Sequence, residues 1–236
     1  APDPGRQVTA RKLHQDQVLY DVVYTIGPNG LRITPPATSA TAAGCIVFFG
    51  DSVTFGEGVN DHESFPFLVG LLTAGGYAAH NFAHSGYGPH QMLAALQAGR
   101  VEKTVSCRPS HFFYLGILEH IPRVAGLAKW DQPGPRFRLA ANGALLRDGN
   151  FDTASGLRKA PWLLTWLDAP LTQYLTWQRF FGNARKPDNA DLDLYVEVVL
   201  ASARSTQERF PGSEFQMILW DGRDDARLGV IEKRVQ

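Results

Sequence analysis

Several things are scarce in this 236-residue chain, and each scarcity excludes a class of function. Net charge is absent: 23 lysines and arginines balance 23 aspartates and glutamates, so no field gathers nucleic acid or an anionic membrane surface. Long apolar runs are absent, and with them any stretch of the length that spans a bilayer as a helix. Only two cysteines occur, Cys45 and Cys107, too few for a disulfide framework, and both are expected to be core thiols. Neither Gly-x-x-x-x-Gly-Lys-Ser/Thr nor Gly-x-Gly-x-x-Gly appears, which removes the usual phosphate cradles. His80, His84 and His90 are close in sequence but lack cysteine or carboxylate spacing to match, so no metal site is expected. Past His120 there is no histidine at all.

What is present is enough apolar residue, 44%, to bury the core of one α/β domain spanning residues 1–236. Residues 1–16 are polar and aperiodic and predict an arm. Val18–Ile26 and Leu31–Thr34, either side of Gly-Pro-Asn-Gly, predict an amino-terminal β-hairpin over 17–35. Residues 35–44 form a linker to Cys45–Phe49, a buried strand that runs into Gly50-Asp51-Ser52. A helix is expected from Phe67, a short strand over Tyr77–Phe82, a glycine turn through Gly86 and Gly88, and a helix over Gln91–Gln97. Further parallel-type strands follow at His111–Ile117 and Phe215–Trp220. Between the last two strands, residues 122–187 depart from the α/β rhythm. A second hairpin (Arg136–Leu139 with Ala144–Arg147) precedes an aromatic segment containing Trp162, Trp166, Tyr174, Trp177, Phe180 and Phe181, which either packs as a helix face or walls a pocket. Asp188 or Asn189 caps a long helix that ends near Pro211-Gly212, and residues 225–236 begin another.

Gly50-Asp51-Ser52-Val53-Thr54-Phe55-Gly56 after a strand resembles the first signature block of the SGNH, or GDSL, hydrolases, serine esterases and lipases. Asn81 with Gly86 resembles the second block. The resemblance covers roughly residues 45–117 and implies a three-layer α/β/α fold with a mainly parallel, flavodoxin-like sheet. It implies Ser52 as catalytic nucleophile, and the Ser52 and Gly86 N–H groups as oxyanion donors. The implied reaction is hydrolysis of a small-molecule ester, an acyl or acetyl ester of a carbohydrate or lipid, through an acyl-Ser52 intermediate without a cofactor. The family's third oxyanion donor is an asparagine, but here Leu118 stands at that position, leaving His120 or Glu119 for that corner and His120 as an alternative base. The family's Asp-x-x-His block near the carboxyl terminus has no counterpart. A serine hydroxyl attacks poorly unless its proton is removed. Three readings stay open: the block follows beyond Gln236, the base is His84, His90 or His120, or the chain is a non-catalytic ligand-binding pseudoenzyme. The start at Ala-Pro-Asp suggests a trimmed amino terminus of a soluble protein and is compatible with export. Substrate, compartment and oligomeric state are not legible.

Overall fold

The computed structural model describes residues 3–36, 44–154, 185–220 and 225–235. Four strands form a parallel sheet: β3 (Cys45–Phe49), β4 (Ala78–Asn81), β5 (Pro109–Gly116) and β8 (Glu214–Leu219), in the spatial order β4-β3-β5-β8. β3 is buried throughout, as its unbroken apolar run requires. Its alternate residues serve two faces. Cys45, Val47 and Phe49 enter the main core with Leu93, Leu96, Val196 and Val199 from α3 (Pro89–Gln97) and α7 (Asn189–Arg209). Ile46 and Phe48 pack on the other side against Phe65 and Val69 of α2 (Phe65–Leu72). The architecture is therefore a mixed α/β sheet flanked by helices on both faces. Among the described residues no helix is long and apolar enough to cross a membrane.

β3 is the first of these four strands in the chain, yet it lies between the second and the third. The connections leaving β3 and β4 thus diverge to opposite sides, the topology at whose carboxyl edge open α/β sheets bind ligands. Ser52, first residue of the short α1 (Ser52–Phe55), follows directly on the end of β3. At the end of β5 the chain enters α5 (His120–Val124).

The amino-terminal hairpin differs from expectation. β1 (Gln7–His14) pairs antiparallel with β2 (Gln17–Thr25), so the expected arm is a strand and the hairpin spans 7–25, overlapping the expected 17–35 only through β2. Its two-residue turn is Gln15-Asp16, both with positive φ (47° and 65°), the backbone of a type I′ turn without the usual glycine. The Gly-Pro-Asn-Gly segment still turns the chain, with a single bridge between Ile26 and Arg32. The second hairpin forms as β6 (Pro135–Leu139) with β7 (Leu145–Asn150), and Asp188 caps α7 by accepting from the Asp191 N–H. α8 (Ala226–Val235) lies on α7, and its Ile231 enters the main core. Trp162, Trp166, Tyr174, Trp177, Phe180 and Phe181 lie outside the described residues, so their packing or pocket-wall role does too.

The two cysteines are not thiols. Cys45, at the start of β3, and Cys107, just before β5, are joined as a disulfide with Cα atoms 5.8 Å apart. The parallel register that sets Cys45 opposite Pro109 brings them together, which spacing in the chain could not reveal.

Candidate active site at the carboxyl edge of β3

The Gly-Asp-Ser turn is built by close contact. A β-carbon at Gly50 would overlap the side chain of Thr54, so only glycine lets α1 fold back onto the strand end. Asp51 caps α1 by accepting from the Val53 N–H at 3.0 Å, and Gly56, at φ +87°, closes it in the left-handed conformation. Between the two caps, Ser52 is half-buried, Val53 is exposed, and Thr54 and Phe55 point inward.

Two elements clamp this turn from outside the sheet. Arg32, its side chain wholly buried, donates to the carbonyls of Phe55, Gly56 and Val59 and to Asp61, and its guanidinium lies over the rings of Tyr24 and Phe55. The hairpin adds Tyr24, which meets Phe55 edge-on and accepts the Gly58 N–H at 2.9 Å. From β4, the buried Asn81 side chain donates to the carbonyls of Thr54 and Phe55, and its own oxygen accepts from the Ala83 N–H. The loop after β4 continues the clamp, with the Ser85 hydroxyl donating to Glu57 at 2.7 Å. Gly86 belongs to this loop. Its φ is +83°, and a β-carbon there would sit 2.8 Å from the Trp130 indole nitrogen, so both backbone and space favour glycine. The α1 turn that carries Ser52 and the loop that carries Gly86 thus adjoin at the carboxyl ends of β3 and β4, tied by Ser85 and Glu57.

Beneath Ser52 lies a buried polar network that the sequence reading missed. Asp51 is fully buried, and Arg123 of α5 donates to its Oδ2 at 3.0 Å and to the Tyr87 carbonyl at 2.6 Å, joining the serine turn to the Gly86 loop. His120 faces the same Asp51 oxygen from 3.4 Å, too far for a well-formed hydrogen bond, and its Nδ1 lies 2.6 Å from the Tyr114 hydroxyl. The Tyr195 hydroxyl of α7 comes up beside Tyr114, in space left by the missing side chain of Gly116. Burial alone would raise the Asp51 pKa, but His120, the Val53 N–H and Arg123 outweigh it and hold the carboxyl below its ordinary value. His120 is pushed down by burial, against the pull of Asp51. A neutral ring between an ionised carboxylate and a tyrosine places its proton on Nε2, towards Asp51, and accepts the Tyr114 hydroxyl on Nδ1.

This corrects the expectation for His120. The ring is fully buried, with Nδ1 bonded to the Tyr114 hydroxyl and Nε2 turned to the buried Asp51 carboxylate, so it does not face the solvent side of the turn as a third oxyanion donor or base would. Leu118, at the family's asparagine position, is buried in the core. The other histidines also turn elsewhere. His90, equally buried, meets Asp131 at 2.6 Å. His84 is half-buried between Phe55 and Tyr87, with Nδ1 3.1 Å from the Ser85 carbonyl, and burial lowers its pKa. Among the described residues no histidine hydrogen-bonds Ser52. One signal for the network was in the chain: His120 and Arg123, three apart, share a face of the helix that leaves β5.

No protein-family model, curated protein or solved structure matches the chain. The reading of the site therefore rests on its own geometry and on the two short blocks.

Proposed function

We propose that the chain is a serine hydrolase of the SGNH type acting on an ester of a carbohydrate or lipid. The observation that carries this reading is the position of Ser52: half-buried, at the first turn of a short helix, just after the parallel strand where the chain's connections diverge. In the proposed reaction the Ser52 Oγ attacks the ester carbonyl carbon, the negative charge passes to the carbonyl oxygen, and the alcohol leaves with a proton. Water then releases the acid from the acyl-serine. The Ser52 and Gly86 N–H groups are the oxyanion donors of this reading, and loss of one such donor costs about 2.7–4 kcal/mol of transition-state stabilisation.

Removal of the serine proton needs a base, and the rings of His80, His84, His90 and His120 each face another group. The reading thus predicts feeble turnover by the 236-residue chain, of the order of the ~10³–10⁴-fold over water that a site with a missing triad member retains. Hydrolysis of p-nitrophenyl acetate, with and without Ser52→Ala, tests it. Slow hydrolysis that the variant abolishes is expected. Fast Ser52-dependent hydrolysis would point to an internal base, with His84→Ala the first variant to examine. Hydrolysis indifferent to Ser52 would end the proposal. A second reading, a binding domain that uses this edge of the sheet without chemistry, is favoured by the burial of His90 and His120 beside carboxylates, and it predicts no Ser52-dependent turnover.

A further inference from the structure

At the opposite end of β3 from Ser52, a second cluster has no part in the proposed reaction. Cys45 opens β3, Cys107 precedes β5, and His80 lies on β4, opposite Val47 and on the same side of the sheet as Cys45 and Val47. One ligand atom from each falls within 4.8 Å of the other two, and the His80 Nε2 is 3.3 Å from the Cys107 sulfur. A disulfide has no need of an imidazole aimed at it. His80 is half-buried, with its Nε2 turned to the Cys107 sulfur.

We propose that, once the Cys45–Cys107 disulfide is reduced, these three side chains form a site for a thiophilic divalent ion of the zinc type. Tetrahedral zinc with bonds of ~2.3 Å to sulfur and ~2.0 Å to nitrogen sets its ligand atoms ~3.3–3.8 Å apart. The Nε2–Sγ separation already lies in that range, and the two sulfurs reach it by side-chain rotation from Cα atoms 5.8 Å apart. Charge also fits, since two thiolates cancel the ion and a neutral imidazole adds nothing, leaving a neutral centre where Cys45 is fully buried and the other two ligands half-buried. Soft sulfur with imidazole selects zinc over magnesium or calcium. Three protein ligands leave a fourth position for water. The steps balance. A phosphine reductant and water convert the disulfide into two thiols and phosphine oxide, and metal binding then releases the two thiol protons.

The whole chain, reduced with a phosphine, is titrated with Co²⁺ as a spectroscopic stand-in, and zinc affinity is read by competition with a chromophoric chelator. The expected result is one metal per chain, with a sulfur-to-cobalt charge-transfer band, in the reduced protein and none in the oxidised one. His80→Ala, which keeps both cysteines, should lower zinc affinity by more than about tenfold, the loss that even an outer partner of a ligand can bring. His14→Ala on the exposed hairpin should change nothing. Circular dichroism covers the case in which reduction loosens the fold: recovery on adding zinc supports the site. Unfolding that zinc does not reverse, equal binding by oxidised and reduced protein, or a His80→Ala variant with undiminished affinity would each overturn it.

Discussion

Asp51 and its partners are the residues on which the candidate site leans. A carboxylate this deeply buried is tolerated because Arg123 pairs with it and the Val53 N–H donates to it. Arg123→Met should cost on the order of 3–5 kcal/mol of stability, because the charge left behind has no comparable partner, and denaturant unfolding measures this directly. Asp51→Asn should cost less than Arg123→Met, since it removes the charge and keeps an acceptor for Val53. Protonation has a definite sign here. The His120 pKa is depressed in the fold, so below its ordinary value near 6.5 the unfolded chain takes up a proton that the folded chain refuses, and stability falls with falling pH. Asp51, also depressed, adds to the loss at lower pH, below its ordinary value near 3.8. Each such group contributes a slope of at most about 1.4 kcal/mol per pH unit. His120→Gln should flatten the stability curve between pH 7 and 5, and an unchanged slope would show that the ring titrates normally. At this scale the short motifs made the positions of Ser52, Asn81 and Gly86 at strand ends and turns readable, while their roles belong to the proposal. The sequence hid the Asp51–Arg123 pair because its members are 72 positions apart and meet only through the β3–β5 pairing.

Among the elements, the hairpin looks peripheral in the sequence and is not. Its Tyr24 and the Thr25 N–H reach Gly58 and Asp61, and Arg32 just beyond it gathers three carbonyls of the loop after α1. Arg32→Ala strands those carbonyls and the Asp61 carboxylate, so a loss on the order of 3–5 kcal/mol is expected. Proteolysis within residues 55–61 should rise with it. Arg32→Lys should rescue only part, because one ammonium cannot reproduce the fork that serves Phe55, Gly56 and Val59 together. If both variants unfold like the parent, the clamp is not what fixes the serine turn. The central strands and α3 and α7 were legible from apolar periodicity and caps, as was the β6–β7 hairpin from its Ala-Asn-Gly turn. β1 was not, because its residues are nearly all exposed and carry no alternation, and its turn achieves positive φ without glycine.

For the molecule as a whole, the parallel sheet was implied by the resemblance, and the spatial order β4-β3-β5-β8 gives it a physical consequence: Ser52 follows the strand where the connections diverge, the edge at which open α/β sheets bind ligands. Composition and motifs could place the serine on a strand end but could not say which neighbours that strand would have. Nor could they reveal that the cysteines close a disulfide at the far end of the same strand. The central claim is that Ser52 is a nucleophile, and its most direct test is covalent. The chain is incubated with a fluorophosphonate, digested, and the adduct located by mass spectrometry, in parallel with Ser52→Ala. The account predicts an adduct confined to the peptide that carries Ser52 and absent from the variant; no adduct, or one that persists in Ser52→Ala, would contradict it.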